Sequence, residues 1–526
     1  MNDTVRMLQY SADLVKAWGQ AQLPSGKTLA EMLSLQGFPL WEAMAVDIAR
    51  LHVPKALKMG RQPAWFAQEV RPYLSWAKHT ALNRIRNRRT SQACAAWVPK
   101  PTFLFLGFSD YMYRDVLQPI SVRLAECKEV STVSLQGQQR VQSIKSRAEQ
   151  DGFQSIWQHW DGEVDAQVRS LRKGLQAAEL ELQGTGVLPR VIQDQDRPLW
   201  PQMKDMFNWL FRVYLPLLLP QVVIARHILE RHQPALVISP DVADPRTRLY
   251  CLLARQVGIP SLEIQFGAFG EDSIEWQFFV ADRLAVWGDQ AYEVMLAHGV
   301  PAGRITITGS PRHDCLINIT DTDVTRIRAR IGIPEGSVMV LFSSVYEEGG
   351  SEVFSNPENP NLISLMKKAV FQAADQADGL CLVVKPHPLE NARKTRQLAG
   401  KMRNIQFTDP RTDIRELTKA CDVFVAVTGS TTVTDALIAN KLTIIPVFPG
   451  WIWSDQFVKS GAILVPRSAE EVAHCLQMVV EKDYRARIQT ELEPARQRFL
   501  RQWVGQADGQ ASARIEALVR QMAKYS

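Results

Sequence analysis

Three stretches combine residue types that chemistry can use with a spacing that exposes them together. In VVKPHPLE, His387 leaves an apolar run between Pro386 and Pro388, whose rings fix the backbone on both sides. An imidazole held there can donate to a phosphate oxygen, or give a proton to a departing phosphate, because histidine ordinarily titrates near neutrality. Lys385 adds positive charge or snorkels outward. In VFVAVTGSTTVTDALIANK, Thr428 and Gly429 leave an apolar run and Ser430, Thr431 and Thr432 open a helical pattern. That order lines up hydroxyls and N–H groups at the positive end of a helix, a ready anion site. Plain N-capping by Ser430 or Thr431 would use the same groups. Asp435 follows about one turn later, placed to accept from a hydroxyl. In LFSSVYEEGGSE, Ser343, Ser344, Glu347 and Glu348 precede Gly349-Gly350. A carboxylate there can act as base, nucleophile or hydroxyl acceptor, or simply as solvated loop charge.

Earlier in the chain the same kind of position recurs twice. ISPDVADPRTR places Asp241, Asp244, Arg246 and Arg248 after an apolar run, and IQFGAFGEDSIEW places Gln265, Gly267, Gly270, Glu271 and Asp272 after the next. Glycine permits close backbone approach, and Glu271 or Asp272 can take the proton of an acceptor hydroxyl; either acidic cluster can instead cap a helix. Asp244, Arg246, Gln265 and Gly267 are the remaining acceptor-side candidates. In ITITGSPRHD, Gly309 to Pro311 make a turn that lets Arg312 or His313 reach a ligand. Trp451, Trp453 and Phe457 can stack on a ring or pack a core. Asp321-Thr322-Asp323 imitates a metal-binding D-x-D, but its place before a helix favours capping. With no P-loop, G-x-G-x-x-G, H-E-x-x-H or G-x-S-x-G at a strand–helix junction, neither a metal nor another cofactor is expected.

The elements that must hold these residues are legible in the apolar runs. FLFLGF, STVSLQG, ALVISPD, SLEIQFG, RLAVWG and ITITGSP form one set, and VMVLFSS, CLVVKPH, IQFTDP, VFVAVTG, LTIIPVF and AILVP a second. Short runs bounded by Gly, Pro and Asp, with helical patterns between most of them, predict strands buried on both faces of parallel sheets. Two such arrays predict two doubly wound α/β domains of Rossmann type, with ligand in the cleft outside the carboxyl ends of the strands. The expected division is a helical extension over 1–98, a first domain over 99–312 with a helical insertion at 138–232, a second domain over 313–480, and helices over 481–526.

Composition narrows the classes. The 526 residues are 46% hydrophobic and 22% charged, which excludes a mainly disordered chain and suggests about three to four domains. A net charge of +6 on this length argues against a nucleic-acid coat. WAKHTALNRIRNRR concentrates base on one helix, suited to an anionic membrane face or to plain solvation. Seven scattered cysteines favour no disulfide framework or zinc site. FNWLFRVYLPLLLPQVVIARHIL is apolar, but Arg212, Arg226 and two prolines leave too short a run for a spanning helix, so none is expected.

The runs RLAVWGDQAYEVMLAHGVPAGRITITGSPRHD, VVKPHPLE and DVFVAVTGSTTVTDALIANKLTIIPV resemble GT-B proteins of bacterial capsule and surface-polysaccharide synthesis. That group includes sialyl- and Kdo-transferase-like enzymes, CDP-glycerol glycerophosphotransferases and non-hydrolysing UDP-GlcNAc 2-epimerases. The resemblance spans roughly residues 235–450. His387-Pro388 is similar to the motif that holds the donor phosphate in CMP-sugar transferases and glycerophosphotransferases, and Ser430 to Thr432 to the Ser/Thr motif that follows. Glu347-Glu348-Gly349 is similar in letters to an acidic motif of bacterial sialyltransferases, which there lies in the first domain. Glu271 and Glu347/Glu348 also look like the paired carboxylates of retaining Kdo transferases. Glycerophosphotransferases carry His-Gly where this chain has Phe266-Gly267, while Asp435 fits their pattern. The resemblance implies a metal-independent glycosyltransferase with a nucleotide-sugar donor, CMP-linked acidic sugars preferred. It implies a glycan or lipid-linked glycan acceptor, and a cytoplasmic location with peripheral inner-membrane contact through the basic helix. Ranked after it come CDP-polyol phosphate transfer, epimerisation, and a non-catalytic glycan-assembly role.

Overall fold

The computed structural model describes residues 3–58, 102–107, 112–126, 131–136, 153–240, 244–268, 273–345, 361–387, 390, 392–451 and 455–524. Two compact units divide the chain. The first is Met1–Val286, Tyr292–Thr306 and Ala513–Ser526; the second is Trp287–Ala291 and Ile307–Ser512.

The strands of the first unit are β1 (Ser34–Leu35), β2 (Phe38–Pro39), β3 (Thr102–Gly107), β4 (Ser131–Gln136), β5 (Phe153–Ser155), β6 (Gln193–Asp194), β7 (Arg197–Pro198), β8 (Leu236–Ser239), β9 (Ser261–Ile264), β10 (Arg283–Val286) and β11 (Ile305–Ile307). Seven of them make one sheet, ordered β11-β10-β9-β8-β3-β4-β5, and the pairings from β10 to β5 are parallel. Side chains alternate across it as strand geometry requires. Phe103 and Phe105 pack with Ile515, Leu518 and Val519 of the Ala511–Met522 helix, and Leu104 and Leu106 with the helical layer.

That layer is one arrangement used twice. A long helix (Asp3–Gln20), a single turn (Leu29–Met32), the hairpin β1–β2, a helix (Leu40–Asp47), a π-turn (Ile48–His52) and a further helix (Val53–Lys58) follow in order. The same order recurs as Gly162–Gly184, Leu188–Val191, β6–β7, Trp200–Trp209, Leu210–Tyr214 and Leu215–His232. Pro39-Leu40-Trp41 is matched by Pro198-Leu199-Trp200. Leu40 N–H donates to Leu33 O (3.1 Å) as Leu199 N–H does to Ile192 O (3.0 Å). Both hairpins turn on a glutamine in left-handed backbone, Gln36 (φ 51°) and Gln195 (φ 52°). Each long helix also reaches the other copy's hairpin: Trp18 Nε1 donates to Gln193 O (2.9 Å), and Gln36 Nε2 donates to Ser170 Oγ (2.8 Å).

The stretch Trp200–His232 is long and apolar enough to cross a membrane, yet 72% of its apolar 18-residue window is buried in the protein, where Leu218, Leu219, Val222 and Val223 fill the core. Two expectations fail here. Residues 1–98 contain a hairpin, not helix alone, because two-residue strands leave no alternation to detect. The region read as a helical insertion contains β5, which extends the sheet beside β4. The basic helix expected at 76–89 lies outside the described residues.

The second unit carries β12 (Val338–Ser343), β13 (Leu380–Lys385), β14 (Ile405–Phe407), β15 (Val423–Ala426) and β16 (Leu442–Ile444), all parallel, ordered β14-β13-β12-β15-β16. Val340 and Phe342 bury on one face, Met339 and Leu341 on the other, so both faces are covered by helices. The expected strand at 462–466 is a single parallel bridge, Ile444 to Leu464, ended by Pro466, which has no N–H to continue a ladder. Asp321–Asp323 caps as expected: Thr320 and Asp323 form a reciprocal capping box.

Candidate functional site

The register of the second sheet decides what meets at its carboxyl edge. Ser343, the last residue of the central β12, pairs with Lys385 of β13 on one side and Ala426 of β15 on the other. The segments that leave these strands, Ser344, Pro386-His387 and Val427 to Ser430, therefore emerge side by side. Ser344 N–H donates to Lys385 O (3.0 Å), carrying the alignment one residue further.

Hydroxyls connect these ends. Thr432 Oγ1 lies 3.2 Å from Ser343 Oγ and 2.8 Å from Ser430 Oγ, a chain that runs from β12 to the start of the Thr431–Ile438 helix. Ser430 holds the N-cap position with extended backbone, but its side chain makes no capping bond. Plain capping by Ser430 is thus not its use. Gly429, Ser430, Thr431 and Thr432 are half-buried, whereas Thr428 is buried. Partly exposed hydroxyls at a positive helix end can bind an anion.

His387, which leaves the neighbouring strand β13, is half-buried. Burial, then the nearby Lys385 and Lys367, push its pKa down to about 4 against an opposing pull from Glu390. Without an anion beside it the ring is therefore neutral at pH 7, able to offer an N–H rather than a proton. Lys385 does not snorkel: its buried Nζ donates to Pro386 O and Pro410 O, both at 2.8 Å. Its charge still faces His387.

Other predicted residues have different work. Asp435 is not open to a ligand hydroxyl; it is fully buried and paired with Arg312, whose Nε lies 3.0 Å from Oδ2. Arg312 and His313 are buried with it, although Gly309 does make the expected left-handed turn (φ 79°). Ser344 is buried and donates to Glu390 Oε1 (2.8 Å), so it braces the loop. Asp244 caps the Pro245–Gln256 helix through Arg246 N (2.9 Å) and pairs with Arg246 Nε (2.8 Å). Gln265 is buried and donates to Gly267 O (2.9 Å). Asp244, Arg246 and Gln265 thus all have structural partners within the first unit. Phe457 packs on Phe499 in the core, and Trp451 Nε1 donates to Val427 O (3.0 Å). Asp241, Glu271, Asp272, Glu347, Glu348, Pro388 and Trp453 lie outside the described residues.

Sequence reasoning missed Lys367 and Glu390. Lys367 Nζ donates to Glu390 Oε1 (2.8 Å) with both side chains buried. The signal for Lys367 was its position on the apolar face of the Leu362–Gln376 helix, with Ile363, Val370 and Phe371.

The fold defines a class: an α/β protein of GT-B type, with two Rossmann-like units. Residues 289–427 match the family CDP-Glycerol:Poly(glycerophosphate) glycerophosphotransferase. UDP-GlcNAc 2-epimerase from Neisseria meningitidis bound to UDP-GlcNAc is similar in structure at TM-score 0.51 and 12% identity, over 80% of this chain and 100% of that one. The S. aureus MnaA–UDP co-structure is similar at 0.51 and 13%, over 81% and 97%. A third is a putative UDP-N-acetylglucosamine 2-epimerase from Listeria monocytogenes, at 0.51 and 12%, over 81% and 96%. At such identities the likeness is one of fold. No curated protein matches the sequence.

Proposed function

We propose that the chain is a transferase that takes a nucleotide-activated donor and grips its phosphate at the carboxyl edge of β12, β13 and β15. The observation that carries this reading is the register that sets β13, which leads into His387, and β15, which leads into the Ser430–Thr432 helix start, on either side of β12, whose Ser343 hydroxyl meets Thr432. The match to glycerophosphotransferases runs across β12, His387 and β15, and structural neighbours hold UDP or UDP-GlcNAc, which supports a nucleotide-bearing donor.

In the proposed step the bond between the donor's transferred group and its phosphate oxygen breaks, and the electron pair stays on that oxygen. The helix start, the hydroxyl chain and the His387 N–H stabilise the growing charge without a metal ion. The acceptor hydroxyl attacks the transferred carbon and loses its proton to a carboxylate, for which Glu271, Asp272, Glu347 and Glu348 are the proposed candidates. A sugar donor, CMP-linked and acidic by preference, with a glycan or lipid-linked acceptor on the cytoplasmic side of a membrane, is the finer reading. A CDP-polyol donor is the second reading, favoured by the family match; there the acceptor attacks phosphorus and CMP leaves.

Thermal-shift measurements with CMP, CDP, UDP and GDP test the proposal. Stabilisation by at least one nucleotide, lost in Ser430→Ala/Thr432→Ala, is the expected outcome. Indifference to all four would count against it and favour a non-catalytic role.

A further inference from the structure

Behind the His387 turn lies a buried polar hub. Glu390 Oε1 accepts from Lys367 Nζ (2.8 Å), from Ser344 Oγ (2.8 Å) and from the Thr395 hydroxyl; Glu390 Oε2 accepts from the backbone N–H of His387 (2.9 Å). Lys367 Nζ also donates to Val345 O (2.7 Å), and Glu390 N–H closes the turn on His387 O (2.9 Å). One carboxylate thus ties together the exit of β12, the Leu362–Gln376 helix, the His387 turn and the Ala392–Ala399 helix. Side-chain exposure is 1% for Lys367 and 4% for Glu390. A buried charge pair is weak evidence of stabilisation, because desolvation offsets its attraction; an apolar pair would pack the same space. Its presence behind the proposed phosphate contact calls for another explanation.

We propose that the Lys367–Glu390 pair is a positioning device for His387, fixing the backbone turn that carries the imidazole and setting the balance of charge at its ring. The proposal rests on the reading of His387 as a phosphate contact. Both charges act on the ring. Lys367 and Lys385 disfavour its protonation and Glu390 favours it; among the described residues these three charged groups act on the ring, from the neighbouring helix, from β13 and from its own turn.

The test follows the His387 imidazole by NMR titration without nucleotide, its signal assigned by comparison with His387→Ala. Glu390→Gln removes the negative member and lowers the His387 midpoint; Lys367→Met removes the positive member and raises it. A brace with no electrostatic role would not shift the midpoint in opposite directions. Shifts of the same sign, or none, would overturn the proposal. The charge-neutral double variant Lys367→Met/Glu390→Gln keeps the test open should a single variant unfold. It should recover thermal stability yet bind CDP at least tenfold more weakly than the wild type, and full recovery of CDP affinity would also overturn the proposal. If His387→Ala binds CDP as tightly as the wild type, the functional reading fails instead, whatever the titrations show.

Discussion

At the scale of single residues, protonation is the informative variable. A neutral His387 with a pKa of about 4 should gain a proton when phosphate binds beside it, because a nearby anion favours the charged ring. Calorimetric titration of CDP at pH 5.5 in buffers of different ionisation enthalpy should therefore report net proton uptake, absent in His387→Ala. Proton release would contradict the assignment. His387→Ala should lower turnover by about 100-fold or more, the range for a lost general acid or charge-stabilising donor. Its melting temperature should stay within a few degrees of the wild type, since the buried hub bonds the His387 backbone N–H, which alanine keeps. The strand-end motifs pointed to His387 and Ser430–Thr432 because apolar runs ending in Pro, Gly and hydroxyl residues mark strand exits. Asp435 was misread because its partner Arg312 lies 123 residues earlier, a distance over which spacing carries no information. Glu390 was hidden for the opposite reason: an acid in a polar turn looks solvated until its four donors are seen.

At the scale of elements, local backbone and not motif chemistry decides the outcome. Gln195 in the β6–β7 turn and Gln233 at the C-cap of Leu215–His232 both hold left-handed backbone (φ 52° and 41°). Gln195→Gly and Gln233→Gly should each raise stability by about 1 kcal/mol, because glycine enters that region without steric cost. Denaturant midpoints will show it, and destabilisation by both would mean these glutamines make contacts worth more than their strain. The parallel strands were readable as unbroken apolar runs. The hairpins β1–β2 and β6–β7, and with them the twofold use of one helix–hairpin arrangement, were not, because two-residue strands and scattered identities fall below any periodic signal.

At the scale of the whole molecule, the sequence end completes the first unit. Ile515, Leu518 and Val519 cover the Phe103–Phe105 face of its sheet. Leu518→Ala should cost about 2–5 kcal/mol, as large-to-small changes in a core do. Deleting residues after Gln510 should leave that sheet face exposed and the protein aggregation-prone in size-exclusion chromatography. Acid should also weaken the fold. His159 and His387 are held near pKa 4 and His313 near 3, mainly by burial, all below the unfolded value of about 6.5. Their contribution is intact above pH 6.5 and lost progressively as pH falls toward 4 and below, because the unfolded chain binds the protons first. Asp47, raised to about 6 by burial, and Glu42, also raised by burial, oppose this by favouring the folded state at low pH, but they are two groups against three histidines. A melting temperature that rose between pH 6.5 and 4.5 would refute this balance.

The most direct measurement of the central claim is a crystal structure of the chain with a nucleotide diphosphate. The account predicts a phosphate oxygen within hydrogen-bond distance of His387 and of the Ser430–Thr432 helix start, at the carboxyl edge of β12 and β13. A phosphate seated on any other surface, with that edge filled only by water, would contradict it.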